Sequence, residues 1–173
     1  MNWYKKAQNK KIIYILRGIS GSGKSTIAKK LPNVTKENIF STDELIANNK
    51  NDYNKFFEDM SKNNDWTPLT KKHQENMNNI ANAMRQNKTP IVYDDMNLEA
   101  WNCKEVVQKA MEYNYEVKFI DIGTGGYSAE ELSKRNTHDV PLDEIQKMID
   151  KYEETGPLDI KKVLESEIPE NKL

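Results

Sequence analysis

A glycine-rich loop behind a short apolar run constrains the fold of this chain more than any other feature. Residues 11–16 read KIIYIL, and the loop GISGSGKST runs from Gly18 to Thr26. A nearly all-apolar run of this length predicts a strand that is buried on both faces of a parallel sheet. Glycines let the backbone N–H groups of the loop point at a phosphate, and the following helix offers its positive end. The sequence therefore predicts a strand, a phosphate-binding loop and a helix in succession.

The loop matches the Walker A pattern G-x-x-x-x-G-K-S, with Gly18 and Gly23 as its two fixed glycines. Lys24 is expected to reach the β- and γ-phosphates of a nucleoside triphosphate, most simply ATP, and the Ser25 hydroxyl to ligate Mg²⁺. The other phosphate-binding candidates belong to the same loop: Ser20, Gly21, Ser22 and Thr26. The alternative is a glycine-rich turn with an incidental lysine, which would need neither a strand before it nor a helix after it.

The order of apolar runs and helix signals predicts an α/β architecture. Three further strands are expected after the first, at residues 38–40, 90–93 and 115–122. Helical patterns separate them, and repeated strand–helix units favour a parallel sheet with right-handed crossovers. We therefore expect a single-domain P-loop kinase fold over residues 1–173, with a parallel sheet of four to five strands flanked by helices.

Three segments of the chain have weaker signals. Residues 124–154 are expected to form two short helices, the first opened by a capping-box serine and the second by a proline. Because small kinases close a helical lid over the triphosphate, we expect this segment to be the lid. Residues 48–65 are rich in Asn, Asp and Lys and are interpreted as a long, partly ordered excursion. The tail, residues 156–173, is ambiguous: 160–164 fits either a fifth strand or a helical turn.

Composition excludes several classes of protein. The chain has 26 Lys and Arg against 27 Asp and Glu, a net charge of −1, so it lacks the overall positive field of a non-specific nucleic-acid binder. Cys103 is the single cysteine, which rules out an internal disulfide. No apolar stretch approaches the ~20 residues of a membrane span, and two histidines and one cysteine make no structural metal site. We expect a cytoplasmic protein with no membrane partner.

Polar residues follow two further predicted strands, where ligands of parallel sheets bind. Asp43 ends the second strand, and because phosphoryl transfer to a hydroxyl needs a proton acceptor, it is the candidate general base. The alternative for Asp43 is an N-cap of the next helix. Asp94 and Asp95 end the third strand. Asp95 is the candidate Mg²⁺ ligand of a Walker B arrangement, and Asp94 is a candidate contact to the acceptor. The alternative for both is a structural role in a turn. Asn97 is expected to hold the loop or to touch the acceptor.

The class of nucleotide-binding protein follows from missing motifs. The guanine-reading Asn-Lys-x-Asp of GTPases does not occur, because Asn87-Lys88-Thr89 is followed by Pro90. There is no ABC-type signature, and the chain is shorter than the usual AAA or helicase core. A small kinase remains, in which the loop holds the donor and a second strand end holds the acceptor.

The predicted lid contains the segment KRNTHDVP, residues 134–141. A lid arginine stabilises charge on a transferring phosphoryl group, and Arg135 is the candidate, with a solvated helix-end arginine as the alternative. His138 is expected to cap a turn or to contact substrate. His73 is expected on a helix surface.

Four motifs in this order resemble the polynucleotide-kinase-like family of P-loop kinases: RGISGSGKST, STDEL, IVYDDMN-x-x-x-W and the lid segment KRNTHDV…MIDKYE. The resemblance covers about residues 11–154. It implies an ATP-dependent kinase that phosphorylates the 5′-hydroxyl end of DNA or RNA. By position, it implies that Lys24 and Ser25 bind phosphate and metal. It also implies that Asp43 is the base and Arg135 an arginine of the lid.

The acceptor is the least constrained part of this interpretation. The phage enzyme of the family carries an acceptor-binding arginine three residues after its base, where this chain has Ile46. Two alternatives therefore stand beside a 5′-hydroxyl polynucleotide kinase. One is a kinase of a small metabolite, nucleotide sugar or antibiotic, similar to zeta toxins, and the other is a nucleotide-dependent binding module without catalysis.

Overall fold

Four parallel strands form one sheet in the computed structural model, which describes residues 10–172. The strands lie in the order β2–β3–β1–β4. Their bounds are β1 Ile12–Gly18, β2 Ile39–Phe40, β3 Ile91–Tyr93 and β4 Glu116–Gly123. The predicted α/β fold with a parallel sheet is confirmed, and its four strands fall where the apolar runs placed them.

Helices cover both faces of the sheet and one of its ends. They are α1 Lys24–Ala28, α2 Thr42–Ile46, α3 Lys50–Asn63, α4 Thr67–Arg85, α5 Lys104–Glu112, α6 Ala129–Arg135, α7 Leu142–Thr155 and α8 Ile160–Glu165. Short 3-10 segments lie at Lys36–Asn38, Ala100–Cys103 and Glu170–Lys172. The open question about the tail is settled by α8, whose N-cap Asp159 accepts a hydrogen bond from the Lys162 N–H. Within residues 10–172 the sheet therefore has no fifth strand.

Alternating side chains of β1 build the core on the two faces of the sheet. Ile13 and Ile15 are fully buried in a cluster with α4 and α5, whereas Tyr14 and Leu16 pack on the other face against Ala28 of α1. Successive strand residues point to opposite faces, so both faces of a central strand must be apolar. A third cluster joins Ile19 of the glycine-rich loop to α6 and α7 and so anchors the predicted lid to the sheet.

The interpretation of residues 48–65 as a partly ordered excursion is wrong, because α3 forms a fourteen-residue helix there. The Asn49 side chain caps its first turn by accepting from the Asp52 N–H, and Asn64 ends it in a left-handed conformation. Its large apolar residues are Tyr53, Phe56, Phe57 and Met60. That spacing of three and four residues is helical, but surrounding Asn, Asp and Lys residues mask the pattern.

The register of the sheet brings three strand ends to one edge. Ile15 of β1 pairs with Tyr93 of β3, and Phe40 of β2 pairs with the same Tyr93. The glycine-rich loop, the start of α2 and the loop after β3 therefore begin side by side. In the described part of the chain, no helix is both long enough and apolar enough to cross a membrane.

Candidate active site

The glycine-rich loop has a backbone that only glycine adopts easily at two positions. Gly21 and Gly23 have φ angles of 84° and 102°, in the region that side chains with a Cβ rarely occupy. Gly18 is needed for a different reason, because a Cβ there would lie 2.9 Å from the Ser22 Oγ. Ser22 itself is buried, and its Oγ has no hydrogen-bond partner among the described residues. Glycines at these three positions thus fix the shape of the loop.

Lys24 opens α1 and points back over the loop. Its Nζ donates to the Ile19 carbonyl at 3.2 Å. Burial lowers the pKa of Lys24, while the nearby carboxylates of Asp94, Asp95 and Asp43 act in the opposite direction. A partly desolvated ammonium in a carboxylate-lined site is poised to exchange its carbonyl contact for phosphate oxygens.

Asp94 lies beside the predicted metal ligand Ser25. The Ser25 Oγ donates to the Asp94 Oδ2 at 3.1 Å. Burial raises the pKa of Asp94, and Lys24 and the Ser25 hydrogen bond partly offset that effect. Among the residues that the structure describes, no three His, Cys, Asp or Glu side chains gather into a metal cage. A Mg²⁺ ion held here would therefore need phosphate oxygens and water to complete its six ligands, which is its usual arrangement.

Asp95, the neighbouring carboxylate, faces a different part of the cleft. Its Oδ1 accepts from the Met96 N–H at 2.8 Å, and its Oδ2 accepts from the Tyr93 hydroxyl at 3.3 Å. His73 of α4 places its Nδ1 3.6 Å from the same Oδ2. Burial raises the pKa of Asp95, and His73 and the Met96 N–H counteract it. His73 does lie on a helix face, as expected, but that face lines the cleft.

Asn97 sits in the wall behind the cleft. It is 3% exposed and adopts a left-handed φ of 48°. Its side-chain amide donates to the Leu16 carbonyl at 2.8 Å, which ties the loop after β3 to β1. Of its two expected roles, the contacts match that of holding the loop, and an acceptor contact stays a prediction.

Asp43 lies in the first turn of α2 and faces the cleft. The same cleft is lined by α3 and by the loop between α6 and α7, residues 136–141, which we call the lid loop. The Tyr53 hydroxyl of α3 donates to its Oδ1 at 3.0 Å. His138, in the loop between α6 and α7, places its Nε2 3.6 Å from its Oδ2. The N-cap position of α2 belongs to Ser41, so the carboxylate of Asp43 is available for chemistry.

The segment predicted as a lid contains α6 and α7. Ser128 caps α6 by the expected capping box, since its side chain accepts from the Glu131 N–H. Arg135, the last residue of α6, donates from Nε to the Gly21 carbonyl at 3.2 Å. Its guanidinium also stacks on the Tyr127 ring, 3.8 Å from the ring centre. The candidate arginine therefore touches the glycine-rich loop.

These side chains line one open cleft of about 1230 Å³. The predicted residues that line it are Ser20, Gly21, Gly23, Lys24, Ser25, Thr26, Asp43, Asp94, Asp95 and Arg135. Gly18, Ser22 and Asn97 support the cleft from behind. Outside the glycine-rich loop and the end of β3, five further carboxylates line the cleft: Asp43, Glu44, Glu58, Asp139 and Glu144. Across residues 10–172, the Lys and Arg side chains that line it are Lys24 and Arg135.

Sequence reasoning missed the aromatic part of this cleft. Tyr53, Phe57 and Trp66 line it from α3 and the N-terminus of α4, and Trp66 is 47% exposed. The helical spacing of the α3 aromatics was the signal that could have found two of them. Trp66 had no such signal, since a lone tryptophan is more often a packing residue than part of a binding site.

Comparisons with known proteins agree with this geometry. Residues 13–155 match the family described as "AAA domain". The chain is 30% identical over 161 residues to human NEDD4-binding protein 2, and 24% identical over 143 residues to rat 2′,3′-cyclic-nucleotide 3′-phosphodiesterase. These matches cover 92% and 80% of this chain, but only 8% and 30% of the relatives. The chain is shorter than the usual AAA core, but its length does not exclude this family. The chain belongs to the AAA domain family of P-loop nucleotide-binding proteins.

Proposed function

We propose that the protein is an ATP-dependent phosphotransferase that phosphorylates a hydroxyl group, and that its acceptor is the 5′-hydroxyl end of a polynucleotide. One observation carries the proposal: Asp43, Lys24 and the Ser25–Asp94 pair line the same cleft. A proton acceptor, a phosphate-binding cation and a pair of oxygen ligands are the parts that phosphoryl transfer to an alcohol requires.

ATP and Mg²⁺ fit the donor side of the cleft. The loop offers backbone N–H groups and the partly desolvated ammonium of Lys24, which match a triphosphate. The contact between Ser25 and Asp94 favours Asp94 as the carboxylate nearest the metal. The sequence predicted Asp95 for the metal and Asp94 for the acceptor; we propose to exchange these roles, because the Asp95 Oδ2 lies 3.6 Å from the His73 Nδ1 and Asp94 is the carboxylate bonded to Ser25. Bound Mg²⁺ would supply neutralisation of the phosphate charge.

The reaction assigns one step to Asp43. Its carboxylate accepts the proton of the acceptor hydroxyl while that oxygen bonds to the γ-phosphorus. The bond between the γ-phosphorus and the β–γ bridging oxygen breaks, and ADP departs with the electron pair. The proton stays on Asp43 until water removes it. Lys24 and Arg135, both beside the glycine-rich loop, stabilise the negative charge on the transferring group.

Two features support a polynucleotide acceptor: the motifs that resemble the polynucleotide-kinase-like family, and the aromatic side chains of Tyr53, Phe57 and Trp66 that line the cleft. The name of the rat relative refers to a nucleotide substrate, although this chain matches only 30% of that protein. Trp66 and Phe57 offer planar faces on which a terminal base can stack. Glu44 and Glu58, which line the same cleft, can accept hydrogen bonds from the amino groups of bases.

The acidic lining favours a second candidate, a kinase of a small hydroxyl compound. A strand of phosphates would meet the carboxylates of Glu44, Glu58 and Glu144 along the cleft. If a polynucleotide does bind, its affinity should then depend only weakly on salt, because few phosphates are neutralised. A steep loss of affinity with salt would place the binding site on another surface.

The test is transfer of labelled phosphate from ATP to oligonucleotides that carry a 5′-hydroxyl, in parallel with a panel of small alcohols. Labelled DNA or RNA is the expected product. Product only with small alcohols would establish the second candidate. No product in either set, from folded protein that binds ATP, would contradict phosphotransferase activity and leave a nucleotide-dependent binding module.

The Asp43→Asn variant tests the proposed base. We expect kcat to fall by about 10²- to 10⁴-fold, the usual contribution of a general base, with ATP affinity unchanged. Asp52→Asn is a matched control, because Asp52 is an exposed acid in the first turn of a neighbouring helix. A kcat within about threefold of the wild type would exclude Asp43 as the base.

A further inference from the structure

One face of α3 meets the loop between α6 and α7 directly beside Asp43. The contacts come from Lys50, Tyr53 and Asn54, which are spaced three and four residues apart and so share one face of the helix. On the loop side they involve His138 and Asp139. The two segments are distant in sequence, and each of them contacts the Asp43 carboxylate.

Tyr53 bonds directly to the carboxylate. Its hydroxyl donates to the Asp43 Oδ1 at 3.0 Å. Burial, and then Asp43 itself, raise the pKa of Tyr53 far above its ordinary value, so the hydroxyl keeps its proton and remains a donor. Each carboxylate oxygen can accept two hydrogen bonds, so the contact with Tyr53 leaves Asp43 able to accept a proton from a substrate.

His138 closes the other side of the carboxylate. Its ring stacks on Tyr53, with ring centres 3.9 Å apart and planes inclined by 22°. Its Nε2 lies 3.6 Å from the Asp43 Oδ2, slightly beyond hydrogen-bond length. Its Nδ1 is buried and has no partner within residues 10–172, which favours the tautomer with the proton on Nε2. That proton then points at Asp43, and such contacts commonly shorten when substrate binds.

Two polar contacts hold the same segments together. Lys50 Nζ lies 2.8 Å from the Asp139 Oδ1, and the Asn54 side chain donates to the Asp139 Oδ2 at 3.2 Å. We name this group of contacts, from Lys50, Tyr53 and Asn54 to His138 and Asp139, the clasp. The clasp borders the Asp43 carboxylate, whose side chain stays 53% exposed with these contacts in place and so remains open to a substrate.

We propose that Tyr53 and His138 are positioning residues for Asp43, and that the clasp between α3 and the lid loop completes the catalytic base when the cleft is closed. The proposal rests on the proposed function, since Asp43 needs positioning as a base only if the chain transfers a phosphoryl group. A surface carboxylate without such contacts rotates freely, and fixing Asp43 at hydrogen-bond distance from the acceptor hydroxyl raises kcat without changing how the donor binds.

The proposal assigns α3 a task in catalysis. The glycine-rich loop and α1 form the donor site without it. The acceptor side is incomplete until the lid loop reaches α3, so transfer to water is disfavoured while the clasp is open. Closure on substrate is a common way to assemble a catalytic set and to exclude water.

The test is a steady-state kinetic comparison of Tyr53→Phe with the wild type. It uses ATP and the acceptor that the labelled-phosphate assay yields. Phenylalanine keeps the stack on His138 and removes the hydroxyl. We expect kcat to fall about tenfold, as for loss of a hydrogen bond to a charged group, while KM for ATP stays unchanged. Tyr113→Phe is the matched control, because its hydroxyl bonds to Arg85 away from the cleft, and its kcat should equal that of the wild type.

A second pair of variants probes the lid side. His138→Ala should lower kcat, and His138→Gln, which keeps a side-chain N–H donor, should restore part of it. An unchanged kcat in Tyr53→Phe, or a parallel loss of ATP affinity and melting temperature, would overturn the proposal and leave phosphotransferase activity standing. Absence of transfer by the wild type would overturn the proposed function first, and this proposal with it.

Discussion

The donor side and the acceptor side of the cleft are built in different ways. The donor side, which consists of the glycine-rich loop and Lys24, follows the largely buried strand β1, beside the buried strand β3. Arg17, at the end of β1, donates to a carbonyl of the loop after β3. The acceptor side is assembled from α2, α3 and the lid loop through side-chain contacts that are largely exposed. Under the proposed function, the phosphate site is therefore shaped by folding itself, whereas the acceptor site depends on contacts between separate segments.

Arg17 shows how the donor side is anchored. It is 1% exposed and lies one residue before the glycine-rich loop. Its guanidinium donates to the carbonyls of Asn97, Leu98, Tyr152 and Gly156 and to the Asp121 carboxylate. It also stacks on the Tyr152 ring at 4.2 Å. One buried cation therefore joins β1, the loop after β3, β4 and the end of α7.

Arg17→Met should produce the largest effect, and it falls on stability. Removing the guanidinium leaves buried carbonyls unpaired and deprives Asp121 of its cation, which costs about 3–5 kcal/mol of unfolding free energy. Chemical denaturation measures it. Arg85→Met is the control, because Arg85 is exposed and its contacts to Tyr113 and Asn82 lie on the surface, so we expect a change within about 0.5 kcal/mol.

An unfolding free energy of Arg17→Met within about 1 kcal/mol of the wild type would mean that Arg17 does not anchor the donor side. The donor side would then owe its shape to packing alone. A loss of stability without a change in ATP affinity would show that the glycine-rich loop keeps its conformation even in a weakened fold.

The donor side was also the part that the sequence predicts best. A strand, a loop and a helix lie next to one another in the chain, so local patterns specify their arrangement. Asp43 was placed at the cleft by a related argument, because carboxyl ends of parallel strands share one edge. These predictions need only the order of elements and the chirality of their connections.

The acceptor side escaped prediction because its contacts join distant segments. Tyr53 and His138 meet across 85 residues of sequence through a stacking contact that no local pattern encodes. Asp94 and Asp95 are neighbours in sequence, so spacing could not say which of them turns towards Ser25. The apolar spacing in α3 was present but diluted by polar residues, and composition outweighed periodicity in the interpretation.

Trp66→Ala tests the acceptor side with an intermediate effect. Stacking of a base on an aromatic residue contributes about 1–3 kcal/mol, so we expect KM for an oligonucleotide acceptor to rise about tenfold or more. ATP affinity should not change, because Trp66 precedes α4 and belongs to neither the glycine-rich loop nor α1. Met111→Ala is the control, since Met111 is 53% exposed and belongs to α5. An unchanged acceptor KM would remove the start of α4 from the acceptor site and favour a small acceptor that does not reach it.

Asp139→Asn should give the smallest effect, and it bears on how firmly the acceptor side closes. Asparagine tolerates the left-handed φ of 54° at this position and removes the charge that pairs with Lys50. Exposed ion pairs contribute little, so we expect kcat to fall less than about threefold at low salt and not at all near 1 M salt, where such pairs are screened. Glu112→Gln, which breaks an exposed pair with Lys109 on α5, should leave kcat unchanged at either salt concentration. A large, salt-independent loss in Asp139→Asn would mean that the clasp is held as rigidly as the donor side, and the distinction between the two halves of the cleft would fail.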